Sequence, residues 1–579
     1  MLLAGAGGLC AFAQSPNSTY YNPILPGWHS DPSCTHVNGT FFCVTSTFIS
    51  FPGLPIYASA DLIDWRHISH AWNRDSQIPG ASRNSTGQQV GMYAATLRYH
   101  AGVFHVICTY LGGTADGTNL GVIFKTSDPF DDAAWSDPVT FKTTRIDPDL
   151  FWDDDGTVYL TQQGIVQQSV DLETGELTPD TPLSIWNGTG GVWPEGPHLY
   201  KKDGYYYLLI AEGGTETNHS ITIARSKNVS GPYEAYEDNP ILTNRGTNEY
   251  FQTVGHGDLF QDDEGNWWGV ALATRSGPEW ETYPMGREAV LYPVTWKEEE
   301  WPILEPVRGV MSGWPLPSTS LDVPGDGPWN SDPDVYDFAN GTTIPRNLVY
   351  WRVPRDGAFT ITEEGLQIVP SRGNLTGTSE LTGQDGLAFI ARRQTDTLFS
   401  FSVDLVFAPQ AGEQEAGVTV FLTQLNHIDL GLVLLESEPG GTSALSLRLR
   451  AEAPFRANPP VAGTPPPPVV VPVPSAWPTG QAITLQIQTA NQTHYRFSAH
   501  PAADPNAQVV LGTASAELVS GGNGSFVGSL VGAYATCNGA GEGLGCPAGG
   551  DAHVSKWRYT GIAQQVSATE FVPSVHINR

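Results

Sequence analysis

The sequence predicts an all-β chain of two domains, a five-bladed β-propeller followed by a β-sandwich. Three observations carry that expectation: composition, an internal repeat, and a change of texture near Asp332. At 579 residues the chain exceeds a single core. It holds 63 Gly and 45 Pro while only 15% of residues are charged, which suits short strands joined by turns rather than helical bundles.

The repeat is a turn followed by an aromatic strand. It reads Asn38-Gly39-Thr40-Phe41-Phe42, Ala101-Gly102-Val103-Phe104-His105, Asp155-Gly156-Thr157-Val158-Tyr159, Asp203-Gly204-Tyr205-Tyr206-Tyr207 and Glu264-Gly265-Asn266-Trp267-Trp268. A four-stranded blade takes ~40–50 residues before insertions. Five ordered copies therefore predict a five-bladed propeller over residues 20–315. From residue 330 to 575, runs such as Phe399 to Phe407, Val418 to Leu422 and Ile483 to Gln488 read as sandwich strands. Asn458 to Pro478 is Pro-rich and reads as a loop or polyproline excursion. Gly528 and Gly532 suit a close backbone approach or a domain contact.

Just upstream of each turn stands a polar or aromatic residue. Asp31 lies eight residues before Gly39, and Asp147, Glu195 and His256 each lie nine before Gly156, Gly204 and Gly265. In the second blade the same offset lands on Tyr93. The first strand of every blade lines the central channel, so these positions converge on one mouth. Asp149, Asp153, Asp154 and Asp155 invite a metal-loop reading, but they run straight into the Gly156 turn and read better as a solvated hairpin tip.

Lys+Arg total 29 against 60 Asp+Glu, which argues against nucleic acid and leaves neutral polysaccharide as a suitable partner. No run approaches the roughly 18 apolar residues that span a bilayer. Residues 1–13 read as a leader cleaved after Ala13, although no basic residues open it. Sequons begin at Asn17, Asn38, Asn84, Asn187, Asn218, Asn228, Asn340, Asn374, Asn491 and Asn523. An Asn38-Gly39 hairpin turn sets Val37 against Thr40 and Cys34 against Cys43, a spacing that suits a cross-strand disulfide. Cys537 and Cys546 bracket a Gly-rich loop and read as a second bridge. Cys108 reads as a buried thiol, and Cys10 belongs to the leader. The expectation is a secreted, extracellular protein that acts as a monomer.

Cleaving a glycosidic bond takes a proton donor and a carboxylate that activates water or attacks carbon. Glu195, in Val192-Trp193-Pro194-Glu195-Gly196-Pro197, is the candidate acid, its pKa raised by burial. Asp31 is the candidate base. Asp147 would keep Glu195 protonated by like-charge repulsion and hold its orientation. His256 could orient water or a central cation, or be an ordinary channel histidine. Arg287 could contact sugar hydroxyls or form an ion pair. Trp28, Phe48, Tyr93 and Trp193 are candidate sugar platforms, with core packing the rival for each.

At these residues the sequence resembles glycoside hydrolase family 43. The matching stretches are Tyr21-Asn22-Pro23-Ile24-Leu25, Ser30-Asp31-Pro32-Ser33, Thr45-Ser46-Thr47-Phe48, Phe51-Pro52-Gly53, Ile146-Asp147-Pro148, Glu195-Gly196-Pro197-His198-Leu199-Tyr200, Ala224-Arg225-Ser226 and Gly255-His256-Gly257. The resemblance implies a concanavalin-A-like sandwich behind the propeller, inversion of configuration, and Asp31, Asp147 and Glu195 as base, pKa modulator and acid. It implies substrate contacts from Phe48 and Arg287. No cofactor is needed for the chemistry, but a structural calcium ion near His256, held through water, is implied.

Two departures bear on the substrate. Tyr93-Ala94-Ala95-Thr96 stands where many relatives have Trp-Ala-Pro-Asp, and Leu530 stands where an aromatic often narrows the pocket. Both suggest a roomier site, closer to arabinoxylan arabinofuranohydrolases than to strict β-xylosidases. The expected activity is release of α-L-arabinofuranosyl side chains from arabinoxylan or its oligosaccharides, with β-xylosidase action the alternative. A retaining fructosidase-type enzyme would carry Glu-Cys at the acid, where this chain has Glu195-Gly196. A non-catalytic carbohydrate-binding propeller is the other rival.

Overall fold

The computed structural model describes residues 18–81, 87–112, 119–317, 322–376, 386–436, 443–453, 465–521 and 526–574. The expected leader with Cys10, and the sequons at Asn17, Asn84 and Asn523, lie outside the described residues. Among the described residues no helix is long and apolar enough to cross a membrane.

Five antiparallel four-stranded sheets follow one another along the chain. Their first strands are Ser33–Val37, Gly91–His100, Asp149–Trp152, Glu195–Lys202 and Phe251–Gln261. These five pack on one another in a closed ring, so they form the inner wall of a five-bladed propeller. The turn glycines of the repeat sit between first and second strands. At the first, Val37 pairs with Thr40 and Cys34 with Cys43, as the Asn-Gly turn predicts, and the two cysteines are bonded. Thr19–Tyr21 pairs with Val310–Ser312, tying the two ends of the propeller segment together. Rings of adjacent blades fill the spaces between sheets. Phe42 of the first blade, for example, is buried and meets Phe104 of the second edge-on at 4.9 Å.

The second half stacks a nine-stranded sheet on an eight-stranded one. Strand Leu398–Phe407 alternates buried and half-exposed residues over its first half, as a sheet with one face on a core requires. Phe389, Phe401, Phe421, Leu485 and Trp557 fill the space between the sheets. Cys537 is bonded to Cys546, and Cys108 is a buried free thiol. One expectation is corrected here. Within the Pro-rich run, Val469–Pro472 forms a strand paired with Ser443–Glu452, because the prolines flank Val469, Val470 and Val471 and leave their amides free for the ladder.

The domains share a core. Ser50–Phe51, from the first blade, adds to the edge of the eight-stranded sheet by pairing with Val349–Trp351. Trp28, Phe48 and Ile49 pack into the sandwich cluster. At the junction two glycines cross. A side chain on Gly528 would meet the Met285 carbonyl at 2.2 Å, and one on Gly286 would meet the Gly528 Cα at 2.7 Å. This close approach carries the sandwich segment beginning at Phe526 to the mouth of the propeller.

Candidate active site

One backbone device recurs in every blade. Asp31, Ala94, Asp147, Gly196 and His256 all adopt left-handed backbone, with φ of 52°, 47°, 57°, 55° and 50°. In blades two, four and five the strand ladder slips at this point. Such residues are strained unless the surroundings hold them, and they concentrate at working sites. The equivalent positions in blades two and four are therefore Ala94 and Gly196, one residue beyond Tyr93 and Glu195. Counting back from the turns misses this because turn length varies: the pairs Val37–Thr40, His100–Val103 and Lys202–Tyr205 close short turns, whereas Trp152–Val158 and Gln261–Trp267 close longer ones that add one residue to the offset. Glu195 and Tyr93 approach the pocket from the residue just before the kink.

Asp31, Asp147, Glu195 and His256 meet at one pocket of about 750 Å³, together with Phe48, Tyr93, Trp193 and Arg287. The Arg287 guanidinium donates to Asp31 Oδ1 at 3.2 Å, to Thr215 Oγ1 at 3.0 Å and to the Phe526 carbonyl at 3.0 Å. His256 Nδ1 stands 3.9 Å from Asp31. The amide of Gly196 donates to Asp147 Oδ2 at 3.0 Å, so Asp147 fixes the chain next to Glu195. The Gly164 amide holds the Pro194 carbonyl at 2.9 Å, and Gln163 Nε2 donates to Glu195 Oε2 at 3.4 Å.

The electrostatics separate base from acid. Burial works against the charge of Asp31, but Arg287, His256 and the Ser46 hydroxyl outweigh it and hold the carboxyl below its ordinary value. Burial, then the charge of Asp31, pushes Glu195 up to about 7. Burial, then Glu195 and Asp31 against the pull of His256, takes Asp147 to about 7 as well. The repulsion between Asp147 and Glu195 is the like-charge coupling expected of them, and Asp31 adds a further charge that raises both. Asp147 and Glu195 titrate as a coupled pair. A proton donor is lost above the pair's pKa, and a base is lost only below the ordinary carboxylate range. The pH profile of kcat/KM should accordingly fall on the alkaline side from near pH 7 and keep its acid limb low. Initial rates across the pH range check this.

Three expectations are corrected. Trp28 is fully buried and is not a sugar platform. Its ring stacks behind Phe48 at 5.8 Å, with Arg393 on it at 5.7 Å, because the sandwich covers this side of the blade. Leu530 is equally buried in a sandwich strand, paired with Arg393 and Phe421. The aromatic that walls the pocket is Phe526, parallel to Phe48 at 6.3 Å and 6.2 Å from Tyr93. The site is therefore narrower than the sequence implied. Asp149 leaves the hairpin tip, since it is 1% exposed and points into the channel, whereas Asp154 and Asp155 are exposed at the turn. Trp193 is 65% exposed and forms the outer rim of the pocket.

The sequence reading also missed the residues below the mouth. Arg98 Nη1 lies 2.7 Å from Asp258 Oδ2, and Nη2 lies 2.8 Å from both Asp149 Oδ1 and His198 Nδ1. The signal was present in the alternation of strands, because Asp149 and Asp258 stand two residues after Asp147 and His256. This layer bears on the implied calcium. Calcium asks for six to eight oxygen ligands. The ring of His256 packs on Gly196, and the channel carboxylates beyond it are taken by a guanidinium. Among the described residues no group of three or more His, Cys, Asp or Glu could hold a metal ion. The residues do not fit that ion.

The chain is similar to known glycosidases. Residues 20–302 match Glycosyl hydrolases family 43, and residues 335–560 match the Beta xylosidase C-terminal Concanavalin A-like domain. The chain is 35% identical over 548 residues to a non-reducing end alpha-L-arabinofuranosidase of Bacteroides ovatus, covering 93% of this chain and 95% of that protein. It is 33% identical to a xylosidase/arabinosidase of Butyrivibrio fibrisolvens, over 71% of this chain and 79% of the other. The solved structure of "Bacteroides ovatus Xyloglucan PUL GH43B" superposes with a TM-score of 0.78 at 31% identity, over 94% of this chain and 99% of that one. With three carboxylates meeting at the mouth of a five-bladed propeller, and with relatives matched along nearly its whole length, the chain belongs to glycosyl hydrolase family 43.

Proposed function

We propose that this glycosidase is an exo-acting, inverting α-L-arabinofuranosidase that removes side-chain arabinose from arabinoxylan or its oligosaccharides. The observation that carries the reading is the separation of roles within one pocket: a carboxylate held ionised by Arg287 and a second held protonated near neutrality. Asp31 takes a proton from water as the water oxygen bonds to the anomeric carbon. Glu195 gives its proton to the departing glycosidic oxygen, so one proton enters and one leaves the pair per turnover. Asp147 keeps the acid's backbone in place. Phe48, Tyr93 and Phe526 offer an apolar wall to the sugar, and Trp193 at the rim offers a face to the group beyond the bond. Walls from both domains favour one terminal residue over a chain lying across the site.

β-Xylosidase action is the second reading. Phe526 favours it, since it narrows the pocket that the sequence left open. Incubation with arabinoxylan, unbranched xylo-oligosaccharides and arabinosylated xyloglucan decides between them. Arabinose released while xylo-oligosaccharides stay intact supports the proposal, and xylose released from the latter moves the assignment to the alternative. Proton NMR of the first-formed sugar tests inversion. The protein is further proposed to be an exported monomer. Two disulfides and exposed sequons at Asn38, Asn187, Asn218, Asn228, Asn340 and Asn491 support export.

A further inference from the structure

The layer beneath the carboxylates is built as regularly as the mouth itself. Two residues after each left-handed position come Ser33, Thr96, Asp149, His198 and Asp258, one from each blade. Successive same-face residues of a strand are two apart, so these five form a ring directly below Asp31, Ala94, Asp147, Gly196 and His256. All five are buried. Two are carboxylates, and such groups stay charged in a buried site only when paired.

The pairing comes from a single side chain. Arg98, on the same strand as Thr96, sends its guanidinium into the ring. Nη1 and Nη2 bind Asp258 at 2.7 and 3.3 Å, and Nη2 also meets Asp149 and His198, each at 2.8 Å. Ser33 Oγ and Tyr200 Oη donate to Asp258 at 2.6 and 2.7 Å. The Leu199 amide donates to Asp149 at 3.1 Å, and the Leu97 amide donates to Ser33. The cation thus joins the inner strands of all five blades, one register step below the groups that do the chemistry.

We propose that Arg98 is a positioning residue that takes the place of an axial metal ion, fixing the inner strands so that Asp31, Asp147 and Glu195 keep their mutual geometry without bound calcium. A planar guanidinium with five donors pairs its charge with both carboxylates while hydrogen-bonding Asp258 and His198, which a lysine ammonium does only in part. Without it, Asp149 and Asp258 face a void ringed by oxygens from Ser33, Thr96 and Tyr200. Such an oxygen set attracts a hard divalent cation.

The experiment uses the full chain. Elemental analysis of the purified protein should find no stoichiometric calcium, a measurement that stands whether or not the arabinofuranosidase assignment holds. Turnover of a nitrophenyl pentoside should survive dialysis against a chelator unchanged. Arg98→Ala should fall about 100-fold in kcat with KM nearly constant, the size expected when reacting groups shift by about an ångström. Millimolar calcium, or free guanidinium, should then restore about tenfold or more of that loss, and Arg98→Lys should fall between. Stoichiometric calcium in the wild-type protein, or chelator-sensitive turnover that calcium restores, would overturn the proposal. So would Arg98→Ala with kcat within about threefold of wild type, or a loss that neither cation relieves. If Arg98→Ala does not fold, the wild-type metal content and chelator response decide alone.

Discussion

Replacing Glu195 by glutamine lowers kcat on an unactivated arabinoside about 10³-fold while leaving KM nearly unchanged. The amide has the same shape and still accepts from Gln163, but it has no proton to give. The loss depends on the leaving group. A nitrophenolate departs without protonation, so on a nitrophenyl arabinoside the same variant should lose only about tenfold. The alkaline limb near pH 7 belongs to the coupled pair that includes Glu195, and it should weaken or vanish in the variant. Parallel kcat and KM measurements on the two substrates test this. Equal losses on both would remove Glu195 from the acid's role.

Replacing Asp31 by asparagine should cost about 10⁴-fold in kcat on both substrates, because water must be activated whatever group departs. The contrast with Glu195 is the diagnostic. The substitution also takes a charged partner from Arg287, and unpairing a buried ion typically costs about 3–5 kcal/mol. Here Thr215 and the Phe526 carbonyl remain as acceptors, so the folded state should persist with a lowered melting temperature. Loss of the charge near Glu195 should also lower the pKa of the acid, since Asp31 is the leading charge that raises it. A variant that retains turnover on the nitrophenyl substrate but not on the arabinoside would reverse the two assignments.

The two halves of the site differ in how much of them could be read before the fold was known. Asp31, Asp147, Glu195 and His256 recur before turn glycines, so a one-dimensional pattern was enough to bring them together. The Cys34–Cys43 pairing came from local turn geometry in the same way. Phe526 was missed, and Trp28 and Leu530 were placed wrongly, because their environment is set by how the sandwich docks. That docking is decided by the crossing of Gly286 and Gly528 and by a propeller strand entering the sandwich sheet.

What the sequence by itself determined, then, is the blade: its turn, its alternation and the polar residue at its entrance, all short-range consequences of strand periodicity. Only the tertiary structure decided the channel. Strand alternation puts Asp149 and Asp258 on the face of Asp147 and His256, but nothing along the chain pairs them with Arg98 or His198. Closing five blades into a ring removes water from the axis, and a buried charge there must find its opposite on another blade. That requirement acts between strands far apart in sequence, so it is met in space and leaves no motif.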